Sequence, residues 1–210
     1  MLLIKLKSLM KGPGDANRGG DDRYPGSGEM FLPLAPPRFG LGIFLIVVTM
    51  VFSISVTAYI QRMNTFGDWR PLPEPGLLWF NTAILIISSI ALEWARQALR
   101  NGNIEAFKPA LLAAGVLAIA FIVGQLWAWQ QLVALGYYMV SNPANSFFYL
   151  LTALHGVHLC GGIVAWGVTS TRVWNGCELS RIRNSVDLCA IYWHFLLILW
   201  IVLFGLMLST

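Results

Sequence analysis

From residue 109 to residue 135 the chain carries no charged side chain, and four further stretches, about 40–60, 76–98, 146–171 and 185–208, are nearly as apolar. Each is near or above the roughly 20 residues that cross a bilayer as a helix. Hydrocarbon offers no water to complete backbone hydrogen bonds, so a spanning segment must pair its own N–H and C=O groups, and each run is read as a helix rather than a strand. The expected fold class is therefore all-α: a membrane protein of five transmembrane helices. A water-soluble enzyme is excluded by the same arithmetic. Only 11% of the 210 residues are charged, whereas soluble domains carry about a quarter.

Residues 1–38 stand apart as a tail. The opening MLLIKLKSLM places Lys5 and Lys7 among Leu and Ile, with no small-residue cleavage site after it, and reads as an interfacial helix. From Lys11 to Arg38 the chain is rich in Gly and Pro with scattered charges, a composition that buries too little apolar area to offset the entropy of ordering, as in a linker. Residues 39–210 form the five-helix domain. Pro71, Pro73, Pro75 and Gly76 mark its first connection, Asn101, Gly102 and Pro109 the second, and Asn142-Pro143 the third.

The basic residues decide orientation. Twelve of the fourteen Lys and Arg fall in the tail and in the second and fourth connections, leaving Arg62 and Arg70 opposite. The positive-inside rule then puts the N-terminus in the cytoplasm and the C-terminus outside. The formal charge of +4 points to lipid headgroups, not nucleic acid, because the charges flank apolar runs. Cys160, Cys177 and Cys189 form no CxxC pair and no disulfide framework.

Candidate chemistry lies in few places. His155, His158 and His194 all fall inside expected helices. An ionisable side chain in a span is a functional-site hypothesis by default. Either two of the three ligate haem iron, or each imidazole bonds a backbone carbonyl or a polar neighbour. A bis-histidine haem leaves one over, and a metal site normally recruits Cys or carboxylate too, so no metal ligand and no catalytic residue is assigned. Glu93 and Arg96, at helical spacing near the inner end of the second helix, read as an interfacial ion pair. Apart from Asp187 at the start of the fifth run, no carboxylate lies deep in a span, which argues against a stand-alone proton pump. Trp79 fits an interfacial belt; mid-span tryptophans such as Trp193 and Trp200 are expected to pack helices. Gly156, Cys160, Gly161 and Gly162 give the fourth helix a small-residue stripe, which places that helix at the centre of a packing interface.

At the fourth and fifth helices the pattern becomes specific. The segment Phe148-Tyr149-Leu150-Leu151-Thr152-Ala153-Leu154-His155-Gly156-Val157-His158 closely resembles subunit III of haem-copper terminal oxidases in its short, five-helix form. Tyr192-Trp193-His194-Phe195 followed by Trp200 is similar to that family's last helix. Leu78-Trp79-Phe80-Asn81-Thr82, Ser88-Ser89 and Trp94-Ala95 agree with its signature, as do Arg38-Phe39-Gly40 and Gln125. The resemblance covers roughly residues 36–208.

What the resemblance implies is a V-shaped bundle around a lipid cleft, docked on the catalytic subunit I, with bound phospholipid and no haem or copper of its own. Those redox centres belong to partner subunits I and II. The implied work is to keep subunit I active through turnover, support proton uptake and guide oxygen through bound lipid, in a bacterial cytoplasmic membrane. A respiratory supercomplex is left open as a further partner. Lipid-binding or structural candidates are Arg38, Trp79, His155, His158, Trp193 and His194. The chain departs from the family where three carboxylates are common, with Val48, Ala128 and Leu197 in their places. Without such a partner, His158 is expected to bond backbone or lipid. A subunit associated with nitric oxide reductase and one of a quinol oxidase share the five-helix pattern. A small haem-binding cytochrome using two histidines is the reading from another class, and a transporter, with broken helices and repeats, ranks last.

Overall fold

Helix ends in this chain are written into its loops. In the computed structural model, which describes residues 37–65, 76–139, 142–176 and 179–209, five helices follow one another. These are α1 (Pro37–Thr65), α2 (Gly76–Arg100), α3 (Ile104–Ala134), α4 (Pro143–Trp174) and α5 (Leu179–Leu208). All five are long and apolar enough to cross a membrane. The expected interfacial helix and linker of the N-terminal tail, along with Trp69, Arg70, Cys177 and the prolines before Gly76, lie outside the described residues.

Caps correct the expected boundaries. Asn103 accepts from the Ala106 N–H at 3.1 Å and starts α3 five residues before Pro109. That proline is no breaker: it sits in the second turn, where it removes only one backbone donor. Asn142 likewise caps α4 through the Ala144 N–H at 3.2 Å, with Pro143 as the first helical residue. The helices α2 and α3 stop on glycines in the left-handed region, Gly102 (φ 75°) and Gly136 (φ 87°). Each stop returns two bonds to the last turn, as in Asn103 N–H to Ala98 O at 2.9 Å and Tyr137 N–H to Leu132 O at 3.0 Å. Helix α1 already includes Arg38, and α5 begins six residues before 185. Hydropathy undercounts these ends because polar helical turns continue into the headgroup layer. At 31 residues α3 is about 46 Å long, against a hydrocarbon core of about 30 Å.

The packing has two levels. Helices α2, α3, α4 and α5 pack as neighbours around the core, and among the described helices α1 rests on α4 and α5. Lipid is as apolar as leucine, so close fit and interhelical hydrogen bonds hold such a bundle. The tryptophans supply the packing expected of them and hydrogen bonds besides. Trp193 donates its indole N–H to Ser88 Oγ at 3.0 Å, Trp200 to Thr82 Oγ1 at 3.0 Å, Trp129 to Thr152 Oγ1 at 3.1 Å and Trp166 to Leu111 O at 2.8 Å. Gly115, one turn beyond Leu111, leaves room for the Trp166 ring, and a Cβ there would overlap it. The small-residue stripe of α4 is used on one side only. Gly162 lies against Tyr192 and Trp193 of α5, whereas Gly156 meets open space and Cys160 is exposed, because a helix carries these positions to different faces.

Candidate functional site

Ser89, Glu93, Arg96 and Arg100 recur at three- and four-residue spacing, so they share one stripe of α2. On α5, Asp187 and His194 are two turns apart and meet that stripe. The result is a continuous polar chain at the arginine-rich end of the bundle. Arg100 Nη2 lies 3.2 Å and Arg96 Nε 2.7 Å from Asp187 Oδ1, and Arg38 Nη2 of α1 reaches Asp187 Oδ2 at 3.9 Å. Arg96 Nη1 also holds Glu93 Oε2 at 3.2 Å. The same oxygen is 3.4 Å from His194 Nε2, and His194 Nδ1 is 2.6 Å from Ser89 Oγ. With its proton on Nε2, the imidazole donates to the carboxylate and accepts from the hydroxyl. Seven residues separate Arg96 from Ser89, so the chain reaches about 10 Å inward from the arginines.

The Glu93–Arg96 pair expected from spacing is therefore present, within a larger set. Sequence reasoning missed Asp187 as its centre and Ser89 and His194 as its inner end. The available signals were the polar stripe on α2 and the rule that a carboxylate in a span needs a partner. Glu93 and His194 keep 32% and 38% side-chain exposure, facing a groove of about 510 Å³ on the α2/α5 surface beside Ile86, Ile90, Trp94 and Leu197.

The other candidates are dispersed. His155 is fully buried between Phe121 and Trp200, with ring centroids 5.9 and 5.0 Å away. Neither of its nitrogens has a hydrogen-bond partner among the described residues, and the same holds for the buried amides of Asn81 and Gln125. His158 donates from Nδ1 to Leu154 O at 2.7 Å, the backbone bond expected of it, and its ring lies beside Phe52 and Phe44. The three histidines thus occupy three separate environments. Trp193 is buried, while Trp79 is 56% exposed and stands edge-on to Phe204.

A second groove, of about 420 Å³, runs between α1 and the α4/α5 edge. Its walls include Leu41, Phe44, Ala165, Leu188 and Tyr192, and it also meets Arg172, whose Nη1 donates to Ser185 Oγ at 2.9 Å. Of the three positions where the resemblance implies carboxylates, Val48 is buried with Phe52, Tyr59, Leu151 and Leu203, and Ala128 with Leu132 and Tyr149. Leu197 borders the α2/α5 groove. The surroundings of Val48 and Ala128 suit apolar residues, whereas Leu197 shares its groove with Glu93 and His194.

A family model described as cytochrome c oxidase subunit III matches residues 36–209. The cytochrome c oxidase subunit 3 of Synechocystis sp. is 30% identical over 171 residues, covering 79% of this chain and 72% of that protein. The one from Thermostichus vulcanus is 28% identical over 172 residues, covering 80% and 84%. A probable cytochrome c oxidase subunit 3 of Mycobacterium bovis is 28% identical over 149 residues, covering 70% and 73%.

Proposed function

Because the chain belongs to the cytochrome c oxidase subunit III family, and so is a multi-pass subunit of an oxidase complex, we propose that it is the accessory, non-redox subunit of a bacterial respiratory oxidase. In this reading haem and copper reside in subunits I and II, and this chain stabilises subunit I through repeated turnover from within the cytoplasmic membrane. The observation that carries the reading is the family match across the whole five-helix body. The distribution of charge supports it: Arg96 and Arg100 of α2 pair with Asp187 of α5 at one end of the bundle, and the positions of three family carboxylates hold Val48, Ala128 and Leu197.

Bound phospholipid is the second element of the proposal. The groove beside α1 has apolar walls for an acyl chain and the Arg172 guanidinium for a phosphate, a fork of donors matched to phosphate oxygens. Oxygen, itself apolar, would follow the same lipid toward subunit I. Of the candidates for this lipid, His158 adjoins the groove through Phe44, whereas Arg38 is directed at Asp187. The polar chain from Arg100 to Ser89 would lie on the cytoplasmic side, where it supports proton uptake.

The test is an oxidase purified with and without this chain through a tag on subunit I. The depleted complex is expected to begin at a near-normal rate of oxygen consumption and to inactivate over successive turnovers, with its haem spectrum intact. Stable turnover without the chain, or a Soret band that stays with the isolated chain, would reject the assignment.

A further inference from the structure

Between the charged ends of α2 and α5 lies a pocket of about 180 Å³, lined by Arg96, Leu99, Arg100, Arg183, Val186 and Asp187. Its floor is apolar, since Leu99 and Val186 are both buried. Its rim is cationic beyond the needs of the fold. Asp187 is already engaged by Arg96 at 2.7 Å and Arg100 at 3.2 Å. Among the described residues, Arg38, Arg96, Arg100 and Arg183 face Asp187 and Glu93, two positive charges in excess. Arg183, exposed on the rim, makes no ion pair or hydrogen bond among the described residues.

We infer that this pocket holds the phosphate of an anionic phospholipid, with Arg100 and Arg183 donating to its oxygens while Arg96 stays on Asp187. Guanidinium groups match phosphate in geometry as well as charge, and basic pockets between spanning helices at the membrane surface are known to take acidic headgroups. The α2/α5 groove below, with Ile86, Ile90, Trp94 and Leu197, gives the acyl chain a path along the same seam. Gln97, one turn inside Arg100, lines that groove too, with its amide on the Glu93 carboxylate. An anionic lipid neutralises the excess charge; a zwitterionic one brings its own cation. The site is separate from the groove at Arg172, and it does not rest on the accessory-subunit reading.

The test is native mass spectrometry of the full chain, released from detergent micelles doped with phosphatidylglycerol, and in parallel with phosphatidylcholine. Arg183→Gln is expected to lower phosphatidylglycerol binding about tenfold, the effect of one lost charge-assisted hydrogen bond. Lys108→Gln, at an exposed position on the same end of the bundle, removes equal charge outside the pocket and is expected to leave binding unchanged. Arg183→Lys should restore part of the binding, and the amount of phosphatidylcholine bound should not change with the residue at position 183. Because Arg183 has no partner among the described residues, its loss should leave the helical circular dichroism unchanged. Equal loss in Arg183→Gln and Lys108→Gln would mean diffuse surface charge and overturn the site. So would unchanged phosphatidylglycerol binding in Arg183→Gln. Full displacement of the lipid by millimolar inorganic phosphate would reassign the pocket to a soluble anion and overturn the lipid assignment.

Discussion

Asp187→Asn should destabilise the bundle by about 2 kcal/mol, near thirtyfold in the folding equilibrium. The carboxylate accepts from Arg96 at 2.7 Å and Arg100 at 3.2 Å, and hydrogen bonds to charged groups are worth about 1.5–3 kcal/mol each. Asparagine keeps one acceptor oxygen for Arg96 but removes the charge, so the first bond weakens and the second is largely lost. Full burial would raise the cost of breaking such a pair to about 3–5 kcal/mol. Here the side chains of Asp187 and Arg96 retain 20% and 24% exposure, and water and headgroups reduce that figure. The assay is equilibrium unfolding in mixed micelles with increasing dodecyl sulfate, followed by tryptophan fluorescence. Arg96→Gln and the double variant complete a thermodynamic cycle. The reasoning requires a coupling of about 1–2 kcal/mol, because the double variant no longer leaves one charge stranded. Strict additivity would refute it.

Three further outcomes follow from the packing. Trp200→Phe removes the indole N–H that Thr82 accepts and should cost about 0.6 kcal/mol, rising to about 1.7, in the same unfolding assay. Gly115→Ala drives a methyl into the Trp166 ring and should cost about 1–3 kcal/mol; Trp166→Ala in the same chain should relieve part of that strain, which the double variant measures. Val48 lies one turn from both Phe44 and Phe52, the two rings beside His158. A carboxylate introduced by Val48→Glu is therefore directed at that imidazole. It should be tolerated with His158 present and cost about 3 kcal/mol in a His158→Leu background, read from unfolding curves of the four forms.

The helices were legible because a span leaves its mark in an unbroken apolar run, which no neighbour is needed to interpret. Their ends were less so. Pro109 looked like a boundary, yet Asn103 caps the helix earlier, and a proline two turns from an end removes a single bond. The site divides in the same way. Glu93 and Arg96 are three residues apart and visible as a pair, but Arg96 and Asp187 are separated by 91 positions and Glu93 and His194 by 101. No periodicity spans such distances; only the pairing of α2 with α5 brings these groups together. The Arg172–Ser185 contact escaped for a related reason, since a loop reverses the chain between them.

The attachment of α1 bears on how the chain is made. Synthesis delivers α1 first, yet its neighbours, α4 and α5, leave the ribosome last. The pair α2 and α3, joined by Asn101 to Asn103, can close as soon as both are inserted, because local contacts form before distant ones. Until α4 and α5 arrive, α1 has neither of its helix neighbours beside it, which makes it the segment open longest to wrong association.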